Sequence, residues 1–225
     1  MDSWGTVVWV VARAGGWTAY LLLTLSVAVG LALRQRWQSG RWPRLINSEV
    51  HNYVTLLATI FVGVHVLAVW IDPFTRFGLN EVLIPFVSHY SSLWMGLGIV
   101  GLYLAIAVGI STWVRPLIGY TLWQRLHVLT LLTYGLVTLH GIALGTDTRD
   151  WWAILLYAIS ILIVIILLVS RLLTALPSST RAHPVVVGVV LLTLFIATIW
   201  AILGPLQPSW SPSNGTTRPV ATSAP

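Results

Sequence analysis

WQRLHVLTLLTYGLVTLHG, residues Trp123 to Gly141, is apolar enough to cross a bilayer, yet it carries His127 and His140 thirteen positions apart. A second run, HNYVTLLATIFVGVHVLAVW from His51 to Trp70, carries His51 and His65 fourteen apart. An ionisable side chain inside a membrane span costs free energy, so its presence points to function before packing. These two stretches set the expected fold, an all-α, polytopic bundle of membrane helices.

Composition supports that class. Of 225 residues, 57% are hydrophobic and 8% charged, against roughly 25% charged in a soluble domain, and mean hydropathy is +0.86. Cysteine is absent, which excludes disulfides, thiolate metal sites, iron–sulfur clusters and covalent c-type haem. Methionine occurs only as Met1 and Met95, so an iron ligated by two side chains would draw on histidine. All twelve basic residues are arginine. They lie between apolar runs rather than in one cluster, where an orientation signal would place them, so no nucleic-acid partner is expected.

In chain order, a short apolar stretch, Trp4 to Ala12, is closed by Arg13 and Gly15-Gly16. Its arginine follows the apolar run, the reverse of a secretory signal, so no cleavage is expected. Six spans then follow at about 17–33, 50–71, 93–114, 122–144, 151–169 and 184–203, each near the length that a hydrocarbon core of about 30 Å requires. Asp72-Pro73 and Arg115-Pro116 close the second and third. Residues 1–204 thus form one membrane domain in contact with lipid. Residues 205–225, rich in Pro, Ser and Thr, read as a disordered outer tail. Asn214-Gly215-Thr216 matches a glycosylation sequon without further support.

Alternate loops differ in charge. One side holds Arg34, Arg36, Arg41, Arg44, Arg115, Arg125, Arg171 and Arg181 against Glu49 alone. The other holds Arg13, Arg76, Arg149 and Arg218 against Asp2, Asp72, Glu81, Asp147 and Asp150. The first side is therefore expected to be cytoplasmic and both termini outside, in a cell membrane of bacterial plasma-membrane type.

With that topology the second and fourth spans run parallel, His51 and His127 near the inner face, His65 and His140 near the outer. At 1.5 Å per residue the histidines are separated by about 21 Å and about 19.5 Å along their helices, so the depths match. A lone membrane histidine is often a hydrogen-bonded packing residue; four at matched depths on parallel helices suit two stacked, bis-histidine haems. Facing is less regular, since thirteen residues leave His140 about 140° from His127 on a straight helix. A distortion near Gly135, or approach from two sides of that helix, is expected. Arg13 and Arg125 are candidates for the outer and inner haem propionates, with interfacial snorkelling as the simpler role. His89 and His183 read as loop or helix-end residues. Asp, Glu and Lys are missing from all spans, which argues against a proton pump or solute transporter.

The string Arg115-Pro-Leu-Ile-Gly-Tyr-Thr-Leu-Trp-Gln-Arg-Leu-His127, with His140-Gly141 and Gly-Thr-Asp147 after it, resembles the ferric reductase-like transmembrane domain, as does Ala12-Arg13-Ala14-Gly15 before Leu21 to Ser26. The resemblance covers residues 9 to 172. It implies two haem b groups, the inner held by His51 and His127 and the outer by His65 and His140, with single electrons passing outward as in ferric reductases, NADPH oxidases and the haem subunit of a periplasmic methionine sulfoxide reductase system. The chain departs from the larger members in carrying no flavin–nicotinamide module and no G-x-G-x-x-G. FAD or NAD(P) would then act only through a separate flavoprotein, or a membrane quinol would be the donor, with an acceptor at the outer face. The chain is expected to be the membrane haem subunit of an oxidoreductase rather than a complete enzyme. The alternative is a non-catalytic membrane anchor or assembly subunit of a larger redox complex.

Overall fold

Residues 3–34 and 44–175 are described by a computed structural model. Among them the regular elements are all helices: α1 Ser3–Arg34, α2 Arg44–Ile71, α3 Leu79–Leu83, α4 Ser92–Trp113, α5 Arg115–Ile118, α6 Tyr120–His127, α7 Leu129–Leu144 and α8 Trp151–Ala175. Among the described residues, five stretches are long and apolar enough to cross a membrane: Ser3–Leu33, Ser48–Ile71, Ser92–Trp113, Tyr120–Leu144 and Trp151–Leu173. The expected sixth span at 184–203, the tail at 205–225, His183, Asn214 and the arginines at 36, 41, 181 and 218 lie outside the described residues. Leu25, Leu56, Ile60, Leu67, Ile110, Leu132, Leu162 and Ile166 are exposed, an outward apolar surface that hydrocarbon would take up.

The first helix departs most from its expected bounds. It starts at Ser3 rather than Trp17 and runs without interruption through Arg13 and Gly15-Gly16. The arginine is accommodated because Asp147, after α7, ion-pairs with it, and the Trp9 ring lies 4.8 Å from its guanidinium carbon. The glycines are accommodated because α2 passes close by: a Cβ on Gly15 would lie 3.5 Å from the His65 backbone nitrogen.

The helix break also lies elsewhere than expected. α7 passes unbroken through Gly135, and the interruption falls at Val128, between α6 and α7. There the Leu131 N–H donates to the Val128 carbonyl, three residues back, at 3.0 Å. The Thr130 hydroxyl donates to the His127 carbonyl at 2.8 Å. A tightened turn of this kind re-aims the residues before it relative to those after it.

α1 and α2 pack antiparallel along their lengths, as do α4 and α7, while α8 lies against α1. The central core joins α1, α7 and α8 through Tyr20, Val27, Leu31, Tyr134, Ile142, Tyr157 and Val164. A second cluster, Phe77, Val82, Met95 and Ile99, with Val66, Val69 and Leu144 against it, closes the end that carries the 72–91 connection. α2 and α7 run in the same direction but do not pack along each other, each lying instead on its own neighbour. The histidine rings reach across between them.

Candidate functional site

α2 carries His51 and His65 fourteen residues apart, close to four whole turns, so both rings leave one face of the helix. The break at Val128 lets α6 and α7 present His127 and His140 to that same face. The rings meet in two pairs. The centroids of His51 and His127 are 6.2 Å apart with planes at 71°, and those of His65 and His140 are 6.5 Å apart at 82°.

Three of the rings are fixed by backbone carbonyls. His65 Nδ1 lies 2.8 Å from the Ala12 oxygen, His51 Nδ1 is 3.0 Å from the Ser26 oxygen, and His140 Nδ1 is 2.9 Å from the Trp94 oxygen. A carbonyl can only accept, so in each case Nδ1 carries the proton and donates. The lone pair then belongs to Nε2, the tautomer of an imidazole ready to bind a metal through Nε2. Ser26 adds its hydroxyl, 3.3 Å from His51 Nδ1 and 2.6 Å from Thr55 Oγ1. His127 is placed differently, with its ring tilted 33° on Trp123 at 5.0 Å between centroids.

The pair spacing has a chemical meaning. One ion bonded to two Nε2 atoms at about 2.0 Å each, with about 1.1 Å from each nitrogen to its ring centre, sets centroids roughly 6.2 Å apart. Both pairs lie at that separation. No group of three or more His, Cys, Asp or Glu side chains gathers among the described residues, so an ion at either pair would take only two protein ligands. A macrocycle that fills four equatorial positions suits such a pair.

The two candidate arginines separate. Arg13 is bound to Asp147, its Nε donating to Oδ2 at 2.5 Å, with the Trp17 indole donating to the same oxygen at 3.2 Å. It therefore lies beside the outer pair in chain position, one residue after the carbonyl that holds His65, with its charge already matched. Arg125 is exposed in the last turn of α6, two residues before His127. His89 contacts Glu81 in the connection between α2 and α4 and is apart from both ring pairs.

Features not singled out from sequence include the three accepting carbonyls, the Trp123 stack, and the Arg13–Asp147–Trp17 cluster. The fourteen-residue spacing in α2 signals a helix with both histidines on one face. In retrospect Gly16 and Gly30, also fourteen apart, carry the same signal for the helix behind it. Compared with protein-family models, with curated protein sequences and with solved structures, the chain finds no match in any of the three.

Proposed function

We propose that this chain is a di-haem, b-type transmembrane electron carrier, similar to the ferric reductase-like domain, with six spans and both termini outside. The observation that carries the reading is the meeting of four histidines as two ring pairs at metal-bridging separation, with three of the rings held by Nδ1. His51 and His127 would hold the inner haem, His65 and His140 the outer. Haem iron, when bound, supplies reversible one-electron chemistry.

The chain's own residues would do the rest. The Ala12, Ser26 and Trp94 carbonyls orient the imidazoles and raise their basicity. The apolar flanks of α2, α4 and α7 exclude water, and the separation of the two pairs, about 20 Å along the helices, spans much of a bilayer. Charge asymmetry supports a donor on the arginine-rich side, either a flavoprotein or a quinol, and an acceptor at the outer face. The protein would then act as the membrane haem subunit of an oxidoreductase in a bacterial plasma membrane.

Reconstitution tests this directly. In proteoliposomes with reductant inside and ferric chelate outside, the wild-type chain should pass electrons outward, and His65→Ala should abolish transfer. Equal rates for wild type, variant and empty vesicles would leave the chain as a membrane anchor.

A further inference from the structure

The three histidines held through Nδ1 share a second feature. Each rests against a glycine, and each glycine lies four residues after the carbonyl that accepts the histidine proton: Ala12 with Gly16 for His65, Ser26 with Gly30 for His51, Trp94 with Gly98 for His140. A helical carbonyl already accepts from the N–H four residues on, and the side chain at that position leans back over the carbonyl because Cβ points toward the helix N-terminus. Glycine at that position leaves the second lone pair of the oxygen open to a donor from a neighbouring helix.

Clearances show how closely the rings use that opening. A Cβ at Gly98 would lie 2.5 Å from His140 Nδ1, one at Gly16 would lie 3.0 Å from His65 Nδ1, and one at Gly30 would lie 3.3 Å from His51 Cε1. On α1 and α2 the arrangement repeats with a fourteen-residue displacement on both helices, so the two contacts are one packing motif used twice. Gly63 and Gly109, in the same helical bundle, would meet nothing within 4 Å.

We propose that Gly16, Gly30 and Gly98 are positioning residues that open one carbonyl each for an imidazole Nδ1–H, and thereby fix the ring tautomer and tune the ligand strength of Nε2. The idea rests on the di-haem reading for its electronic consequence, but not for the tautomer itself. A methyl group at Gly98 overlaps the His140 ring outright, while at Gly16 and Gly30 the ring must give by a few tenths of an ångström. As the Nδ1–H contact with the carbonyl weakens, the imidazole becomes a poorer donor to ferric iron, and the midpoint potential at that site rises.

The experiment uses the full-length chain in lipid nanodiscs, as wild type, Gly16→Ala, Gly30→Ala, Gly98→Ala and the control Gly109→Ala. Redox titration and low-temperature EPR read the haems. Nitrogen-15 NMR of labelled histidine reads the tautomer in protein without haem. Gly98→Ala and Gly16→Ala should move the outer-site potential upward, or empty that site, while the inner site is unchanged. Gly30→Ala should move the inner site alone and least, and Gly109→Ala neither. In the NMR spectrum, Gly98→Ala should cost one ring its Nδ1–H signature.

Potentials, EPR signals and tautomers that all match the wild type would overturn the proposal even with both haems bound. Should Gly98→Ala fail to fold, Gly30→Ala decides, since its ring need yield only slightly. A wild-type chain that binds no haem, with the tautomer change still seen in Gly98→Ala, removes the di-haem reading and leaves the glycine role standing.

Discussion

A histidine within an apolar helix is tolerated when its polar atoms find partners, and for His51, His65 and His140 those partners are main-chain oxygens of neighbouring helices. The four histidines could be picked out from the sequence because they are the only histidines in the second and fourth spans and stand at matched spacings there. Their partners could not, since every residue has a carbonyl and nothing in a single sequence marks which one a distant ring will meet. His65→Ala or His140→Ala should halve the haem content to about one per chain while leaving the other site intact, read by pyridine haemochrome assay against protein concentration. Retention of two haems would contradict the pairing. Arg13 and Asp147 lie 134 positions apart, beyond the reach of local patterns. With Asp147 buried and Arg13 about a third exposed, Asp147→Ala should lower stability by about 1–3 kcal/mol. The Arg13→Ala, Asp147→Ala double variant should lose less than the two single losses combined, as a double-mutant cycle on thermal unfolding would record.

α2, α4 and α8 were legible from length and hydropathy, because a bilayer demands apolar runs of a certain size whatever they pack against. α1 was legible only in its second half, since Arg13 and the glycine pair read locally as an ending while their tertiary partners make them part of the helix. The break at Val128 was anticipated in kind from the thirteen-residue spacing but not in place, because a glycine permits a distortion while hydrogen bonds at Thr130 and Leu131 locate one. In the connection from 72 to 91, the Glu81 carboxyl is held below the usual glutamate range, first by the His89 backbone N–H at 2.9 Å and next by the Gly78 N–H at 2.9 Å. A lowered pKa in the folded state means that this group stabilises the connection at neutral pH. That contribution is lost as pH falls from the ordinary value of about 4.3 through the depressed one. Hydrogen-exchange protection factors at residues 78–90, taken relative to the intrinsic rate at each pH, should therefore fall in acid, and Glu81→Gln should lower them at neutral pH with a weaker pH dependence. Phe86, at positive φ, has its ring where a Cβ on Gly96 would stand, 2.2 Å away. Gly96→Ala should expose the 83–87 segment to protease at least several-fold more readily.

At the scale of the molecule, the antiparallel pairs α1–α2 and α4–α7 hold the two histidine helices parallel and apart, so that the rings rather than the backbones meet. The parallel course of those helices follows from counting spans, and the depth match from counting residues. The gap between them does not, because it depends on how tightly each helix packs on its own neighbour. The central claim is that two iron porphyrins lie between α2 and α7, each bonded to two imidazoles. Its most direct test is the dithionite-reduced minus oxidised spectrum of the full-length chain from haem-replete cells, with haem and protein quantified in one sample. Low-spin b-type bands at two haems per chain are expected; a flat difference spectrum with no haem bound would contradict it.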